Sequence, residues 1–298
     1  MGNSRAFALA AVFTVQLLYG LNFTFAKIVM EQHYMKPFGF VLVRVLGATI
    51  LLWLFGLFFK SEKIDKKDYI KFFYAAIFGV ALNMMLFFKG LQFTTPIHAS
   101  VIVTITPIII LILSAFFLKE RITSLKIVGV ALGFCGAIVL TIYGKSTSAA
   151  DNVPFGNFIV FLNTVSYSIY IILIKQLTKK YHPFTFIKWL FLFGLCLIIP
   201  FSYQEFIEIK WHTFTPYISF SVVFVVVGAT FGTYILNPLA LRKLRASTVG
   251  TFIYLQPVIA GIFAILMGAD VVNAVKLIAM ALIFSGVYLV TYKPQQSV

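Results

Sequence analysis

Residues 91–142 and 241–292 decide the fold, because the second stretch repeats the first 150 residues later without a gap. The first reads LQFTTPIHASVIVTITPIIILILSAFFLKERITSLKIVGVALGFCGAIVLTI, and the second reads LRKLRASTVGTFIYLQPVIAGIFAILMGADVVNAVKLIAMALIFSGVYLVTY. Ten of the 52 pairs are identical, among them Pro107 with Pro257, and the apolar runs match almost throughout. A membrane protein built from two related halves commonly keeps a substrate site between them.

The composition places the chain in a membrane. Of its 298 residues, 61% are hydrophobic and 11% are charged, and the mean hydropathy is +0.98. The apolar residues come in runs of about 20, the length that a helix needs to cross roughly 30 Å of hydrocarbon. Alternation with a period of two is absent, which disfavours a membrane β-barrel. We therefore expect an all-α polytopic membrane protein, since a helix in lipid satisfies its own backbone polar groups.

Ten spans fit the apolar runs, five in each half. They cover residues 6–29, 37–59, 69–88, 96–118 and 124–143, then 155–177, 184–201, 216–238, 247–267 and 273–292. The short stretch 145–151 joins a first repeat over 1–145 to a second over 152–293. Because five is an odd number, the second repeat enters the membrane from the opposite side. The sequence therefore predicts two five-helix repeats of inverted topology.

The positive charge orients the chain. The net charge is +15, and with a cytoplasmic N-terminus the inner side carries 16 basic residues against five on the outer side. Basic loops stay on the cytoplasmic side, so we predict a multi-pass protein of the inner membrane with both termini in the cytoplasm. The charge then meets anionic lipid head groups. No soluble domain or aromatic-rich basic patch is present to bind nucleic acid, which we do not expect as a partner.

The sequence shows no cluster of residues that is typical of an enzyme active site. A membrane enzyme needs convergent acids, histidines or a metal set, whereas the four histidines lie near span ends on different loops. The two cysteines lie in apolar runs, where cysteine behaves as a small hydrophobic residue. We predict no enzymatic activity, no cofactor and no metal site. No Asp or Glu lies deep in a span, so we expect weak or no coupling through a midplane carboxylate.

Motifs in both halves resemble the EamA family of the drug/metabolite transporter superfamily. They are residues 19–23 with Lys27, residues 40–44 with Ala48, 90–94, Ala99, Pro107, 118–121 and 129–136, and in the second half 232–241, 246–247, 254–257 and Gly286. Asp270 departs from the pattern, which usually has Glu there. The resemblance implies ten helices, cytoplasmic termini and a central cavity lined by spans 1, 3, 4, 6, 8 and 9. It also implies transport of small metabolites, often the export of amino acids.

Polar side chains within spans are the candidates for a substrate site, because a polar group in a bilayer is either satisfied locally or functional. Tyrosine can pack on an apolar substrate and offer a hydrogen bond; the alternative for each candidate is that it joins helices together. Tyr254 is the strongest, since Pro257 leaves a nearby carbonyl without its N–H partner. The predicted substrate-binding residues are Tyr19, Asn22, Asn83, Thr104, Tyr167, Tyr170, Thr230, Tyr234, Tyr254 and Gln256.

Four further positions are candidates for gates and hinges. Pro107 and Pro257 lie in the middle of spans and are predicted to kink them. Glu120 and Asp270 are matched acids at the ends of spans 4 and 9, where they form gate salt bridges or are simply solvated loop charges.

Arg44 lies roughly two turns into span 2. It either attracts an anionic substrate or contacts carbonyls and lipid phosphate.

The leading hypothesis is a secondary transporter of small metabolites, an exporter of amino acids or related compounds, that works by alternating access between the repeats. The alternative is a channel-like facilitator or a translocator of lipids or hydrophobic compounds. Gly129, Gly133 and Gly136 permit close helix packing, either between the halves or between two chains. The protein is therefore expected to be a monomer or a homodimer.

Overall fold

The computed structural model describes residues 2–31, 34–59, 62–94, 99, 102–142, 152–266 and 274–292. Within these ranges the chain forms helices, turns and loops, and no strand occurs. The predicted all-α class is confirmed for this part of the chain. The predicted gate residue Asp270 and the stretch that joins the halves, residues 145–151, lie outside the described residues.

Thirteen α-helices are described, several of them parts of one longer helical segment. Their bounds are α1 (Gly2–Glu31), α2 (Pro37–Gly56), α3 (Tyr69–Ala76), α4 (Leu82–Phe93), α5 (Thr106–Leu118), α6 (Ser124–Ile142), α7 (Val153–Leu177), α8 (Pro183–Ile207), α9 (Pro216–Val223), α10 (Thr233–Lys243), α11 (Ala246–Thr251), α12 (Leu255–Leu266) and α13 (Ala274–Thr291). The π-helical stretches Ile77–Ala81 and Phe224–Gly232 connect α3 to α4 and α9 to α10. A 3-10 turn, Phe252–Tyr254, connects α11 to α12.

The described helical segments have the length and apolarity of membrane spans. Eight of them are long and apolar enough to cross a bilayer: Ser4–Asn22, Pro37–Gly56, Lys66–Gly90, Val153–Leu177, Pro183–Ile207, Pro216–Lys243, Ala246–Phe263 and Ala274–Thr291. The apolar helices Thr106–Leu118 and Ser124–Val139 are shorter. The chain is a multi-pass membrane protein. The predicted span 184–201 ends too early, because Pro200 lies inside α8 and does not end it.

Pro107 begins a helix and does not kink one. Turn residues precede α5, and Pro107 occupies its first turn, where a missing N–H costs little. The hydroxyl of Thr106 donates a hydrogen bond of 2.6 Å to the carbonyl of Val103, four residues before the proline. That carbonyl is the one that the missing N–H of Pro107 leaves without a partner. The chain is therefore broken before Pro107. Around Pro257 the comparable irregularity is the 3-10 turn Phe252–Tyr254.

Glycines bring α6 and α13 into close contact. A Cβ atom on Gly129 would lie 2.7 Å from the carbonyl oxygen of Gly286, and one on Gly136 would lie 2.7 Å from the carbonyl oxygen of Ala279. Real Cβ atoms do not approach backbone so closely, so only glycine permits this packing. We call Gly129, Gly136, Ala279 and Gly286 the glycine seam. The small residues of α6 thus make a contact between the two halves of one chain.

Candidate functional site

A cavity of about 130 Å³ lies between the two halves, with residues from α1, α2, α4, α5, α7, α10 and α12 around it. An engineered protein cavity of about 150 Å³ binds benzene, so this one has the size for a small metabolite. Its walls combine aromatic rings with amides and one guanidinium. The lining residues are Tyr19, Asn22, Arg44, Asn83, Met84, Phe87, Phe88, Val103, Thr106, Asn163, Tyr167, Tyr234, Ile253 and Gln256.

The structure brings six of the predicted substrate-binding residues together at this cavity. They are Tyr19, Asn22, Asn83, Tyr167, Tyr234 and Gln256. Their binding of a substrate stays a prediction, but their common location follows from the fold. The other four candidates, Thr104, Tyr170, Thr230 and Tyr254, do not belong to the cavity lining.

Tyr254 and Tyr170 pack against glycines of neighbouring helices. Tyr254 is fully buried, and a Cβ atom on Gly133 of α6 would overlap its ring. The ring of Tyr170 lies in the same way on Gly79 of the first π-helical stretch. Neither hydroxyl has a hydrogen-bond partner within the described part of the chain. Both tyrosines fill space between helices, which is the alternative that the sequence left open.

The first π-helical stretch presents carbonyl groups to the second half of the chain. A π-helix is wider than an α-helix and often occurs at functional sites. The carbonyl of Phe78 accepts a bond of 2.7 Å from the hydroxyl of Ser166, and that of Gly79 accepts one from the hydroxyl of Tyr234. One turn later, the amide of Asn163 donates to the carbonyl of Asn83 at 2.6 Å. Side chains of α7 and α10 thus hold this wall of the cavity.

Arg44 also lines the cavity and is held by the second π-helical stretch. Its Nε donates to Oγ1 of Thr230 at 3.1 Å, and that hydroxyl donates to the carbonyl of Val225 at 2.7 Å, five residues earlier. The rings of Phe40 and Phe88 lie 6.0 and 5.8 Å from the guanidinium carbon. Thr230, a predicted substrate-binding residue, does not line the cavity but orients Arg44, which does.

The remaining polar groups of the cavity are partly satisfied. Nε2 of Gln256 donates to Oε1 of the buried Gln16 at 2.7 Å, and Nδ2 of Asn237 donates to the hydroxyl of Tyr167 at 3.1 Å. Oδ1 of Asn22 accepts no hydrogen bond from any described residue. Asn163 and Gln16 were not among the predicted residues. Both are polar residues within apolar runs, so the criterion that selected Asn22 applies to them as well.

Carboxylates at the ends of the molecule cap helices of the opposite half. Glu120 accepts bonds from the backbone N–H of Ala246 at 2.7 Å and from the hydroxyl of Ser247 at 2.6 Å, and Lys126 lies 3.4 Å from it. A carboxylate is stabilised at a helix N-terminus because unpaired N–H groups and the helix dipole face it. The Glu120 side chain is only 8% exposed, so it is not a solvated loop charge.

Two more glutamates make the same kind of contact. Glu62 accepts from the backbone N–H of His182 at 2.8 Å and from the hydroxyl of Thr185 at 2.6 Å, at the start of α8. Glu205, near the end of α8, accepts from the backbone N–H groups of Phe38 and Gly39 at 2.7 and 3.0 Å, at the start of α2. The start of α8 is therefore capped by the loop that follows α2, and the start of α2 is capped by the end of α8.

Comparisons with known proteins agree with this architecture. The model of the EamA-like transporter family matches twice, over residues 6–142 and 154–292. An uncharacterized transporter of Archaeoglobus fulgidus is 28% identical over 275 residues, which are 92% of this chain and 95% of that protein. The uncharacterized transporter YetK of Bacillus subtilis is 25% identical over 263 residues, 85% of this chain and 78% of that one.

A solved crystal structure is similar in fold, with a TM-score of 0.76 at 17% sequence identity over 98% of this chain and 97% of that one. The family match covers each half once and leaves only short segments unmatched. The resemblance in the sequence motifs is thereby confirmed, and the chain belongs to the EamA-like transporter family.

Proposed function

We propose that this protein is a secondary transporter that exports small metabolites, amino acids or related compounds, by alternating access through the cavity. The observation that carries the proposal is the cavity itself, because both halves of a chain from a transporter family line it with polar groups. Transporters built from repeats bind their substrate at the repeat interface and rock the repeats about it.

The repeats of this mechanism are residues 1–145 and 152–293, each with five spans, in inverted topology. Reciprocal contacts support that arrangement. The repeat offset of 150 residues converts the contact of Gly129 with Gly286 into that of Ala279 with Gly136, and both contacts occur with a Cβ-to-oxygen distance of 2.7 Å. Pairs of contacts that exchange in this way are the mark of a two-fold axis. Glu62 of the first half and Glu205 of the second each accept from the start of a helix in the other half, which agrees with two related halves.

Both termini lie in the cytoplasm in this proposal, and the membrane is the inner membrane. The excess of basic residues in the loops of one side supports the orientation. A second support is the hydrogen bond from the guanidinium of Arg5 to the carbonyl of Thr291, since it joins the first and last spans near their terminal ends. Glu120 and its partners on α11 then lie at the cytoplasmic end, where they close the path below the cavity. Opening toward the cytoplasm requires these bonds to break.

Uptake into proteoliposomes with a mixture of labelled amino acids tests the proposal. Saturable, stereoselective counterflow is expected of a carrier, whereas flux that rises linearly with concentration would indicate the channel-like alternative. Asn22→Ala is expected to lower uptake about tenfold, because it removes a cavity oxygen that has no other partner among the described residues.

Thr14→Ala is the matched control for Asn22→Ala. Thr14 lies on the same helix, is exposed, and bonds only to the carbonyl of Ala10 among the described residues. We expect its uptake to equal that of the unaltered protein. Equal losses in the two variants would contradict a role for the cavity.

A further inference from the structure

We infer that the transported compound carries a carboxylate and that Arg44 binds this group. The inference rests on the proposed transport through the cavity and adds the chemical class of the substrate. The observation that carries it is the buried positive charge of Arg44. Arg44 lines the cavity and is only 6% exposed. No Asp or Glu belongs to the cavity lining, and no ion pair of Arg44 occurs among the described residues.

An ionised group that is buried in a bilayer without a counter-charge is costly, so such residues normally pair or serve a function. Lipid phosphate does not explain Arg44, because lipid-facing residues of the same helix are exposed, as Ile50 and Leu54 are at 51% and 53%. Arg44 faces inward. Its flanking rings, Phe40 and Phe88, attract a cation through their faces, but they carry no net charge that could neutralise it.

The geometry of the side chain fits a ligand with two oxygens. Nε is occupied by Thr230, and this is the only hydrogen bond of the guanidinium within the described residues. The two terminal nitrogens therefore retain their donors. They form a planar fork that matches a carboxylate in a bidentate pair, the strongest class of charge-assisted hydrogen bond. Thr230 acts as a positioning residue, since it fixes the orientation of the fork and does not line the cavity.

The rest of the cavity disfavours cations. Its other polar groups are neutral hydroxyls and amides, including the unpartnered oxygen of Asn22. That oxygen can accept a hydrogen bond from a hydroxyl or an ammonium group of the substrate, but it cannot neutralise a positive charge. A single fixed positive charge in a low-dielectric cavity therefore favours anions first, zwitterions next and cations least. A carboxylic acid should bind far better than its amide of nearly the same shape.

Binding to the full-length protein in detergent, measured by calorimetry and thermal shift, tests the inference. The probes are matched pairs of acid and amide: benzoate with benzamide, lactate with lactamide, L-leucine with L-leucinamide, and L-glutamate with L-glutamine. We expect at least one acid to bind tenfold or more tightly than its amide. Arg44→Gln is expected to weaken that acid tenfold to a hundredfold and to leave the amide within about threefold.

Thr230→Val keeps the charge of Arg44 and removes the acceptor of its Nε. It is expected to weaken the acid severalfold while the amide is unchanged, and it covers the case in which Arg44→Gln does not fold. A role of Arg44 in packing alone would lower the affinities of acid and amide together. Amides or cations that bind as well as the acids would overturn the inference and leave the proposed transport intact. If no probe binds, the proposed function itself fails, and the inference falls with it.

Discussion

At the ends of the molecule, three glutamates accept hydrogen bonds from the first turns of helices in the opposite half, whereas at the cavity two polar groups remain open. Glu62, Glu120 and Glu205 each have at least two donors. Arg44 uses only Nε, and the oxygen of Asn22 has no partner among the described residues. Buried polar groups in proteins are nearly always paired. The difference teaches that the buried carboxylates between the halves are paired, while the buried guanidinium that lines the cavity keeps donors for a substrate.

The glycine seam offers the strongest test of the contacts between the halves. Gly286→Ala is expected to lower the free energy of unfolding by about 3 kcal/mol. Its new methyl group would lie 2.7 Å from the backbone nitrogen of Gly133, and backbone cannot rotate away as a side chain can. Thermal unfolding of the purified protein in one detergent measures the change.

Gly261→Ala is the matched control, because nothing lies within 4 Å of the added methyl group. In the helix α12 it is expected to stabilise by about 0.5 kcal/mol through the better helix propensity of alanine. Similar losses in both variants would show that the seam does not hold the halves together.

A substitution of Glu120 tests whether the capped helix starts at the ends of the molecule contribute to stability. Glu120→Ala removes an acceptor that serves Ala246 and Ser247 and leaves Lys126 without its carboxylate. We expect it to cost about 2–3 kcal/mol, since hydrogen bonds to charged groups are strong and the site is buried. Glu208→Ala is the control, because Glu208 and its partner Lys36 are exposed and solvent-exposed pairs contribute little to stability. A larger effect at Glu208 would contradict the assignment of stability to the buried caps.

The sequence predicted the all-α class and the two related halves, because apolar runs and internal similarity can be recognised in the chain without knowledge of its contacts. It did not predict the π-helical stretches. Two carbonyls of Ile77–Ala81 accept hydrogen bonds from Ser166 and Tyr234, which lie far away along the chain. No periodicity within a span records such partners. Gly79, against which Tyr170 packs, is the one local hint.

The site residues were harder to predict because the rotation of each helix decides which side chains face the cavity. Tyr254 was favoured for its proximity to Pro257, yet it ends a 3-10 turn. Such a turn has three residues per turn in place of 3.6, which rotates the face of the helix by about 60° over three residues. Tyr254 then faces Gly133, while Gln256 reaches the cavity.

The charged residue Arg44 could be identified from its depth in a span. That Thr230 orients it could not be predicted, because Thr230 lies far away along the chain.

Lys180→Gln is expected to have the smallest effect on thermal stability. Its pH dependence tests the ion pairs between the halves at the ends of the molecule. The Lys180 ammonium group binds Asp65 and Asp68 of the other half, and these hydrogen bonds, Asp65 first, raise the pKa of Lys180 above its ordinary value. A raised pKa in the folded state stabilises the fold fully below the ordinary lysine pKa of about 10.4 and loses that effect above it. The cost of Lys180→Gln in thermal stability should therefore be the same at pH 6 and pH 9 and should shrink above about pH 10.5. The cost should be small and should decrease with salt, because the side chain is 49% exposed.

Lys179→Gln, with no described ion pair, is the control and should show no such dependence. A cost that already disappears between pH 6 and pH 9 would show that the carboxylates do not hold Lys180 in this way.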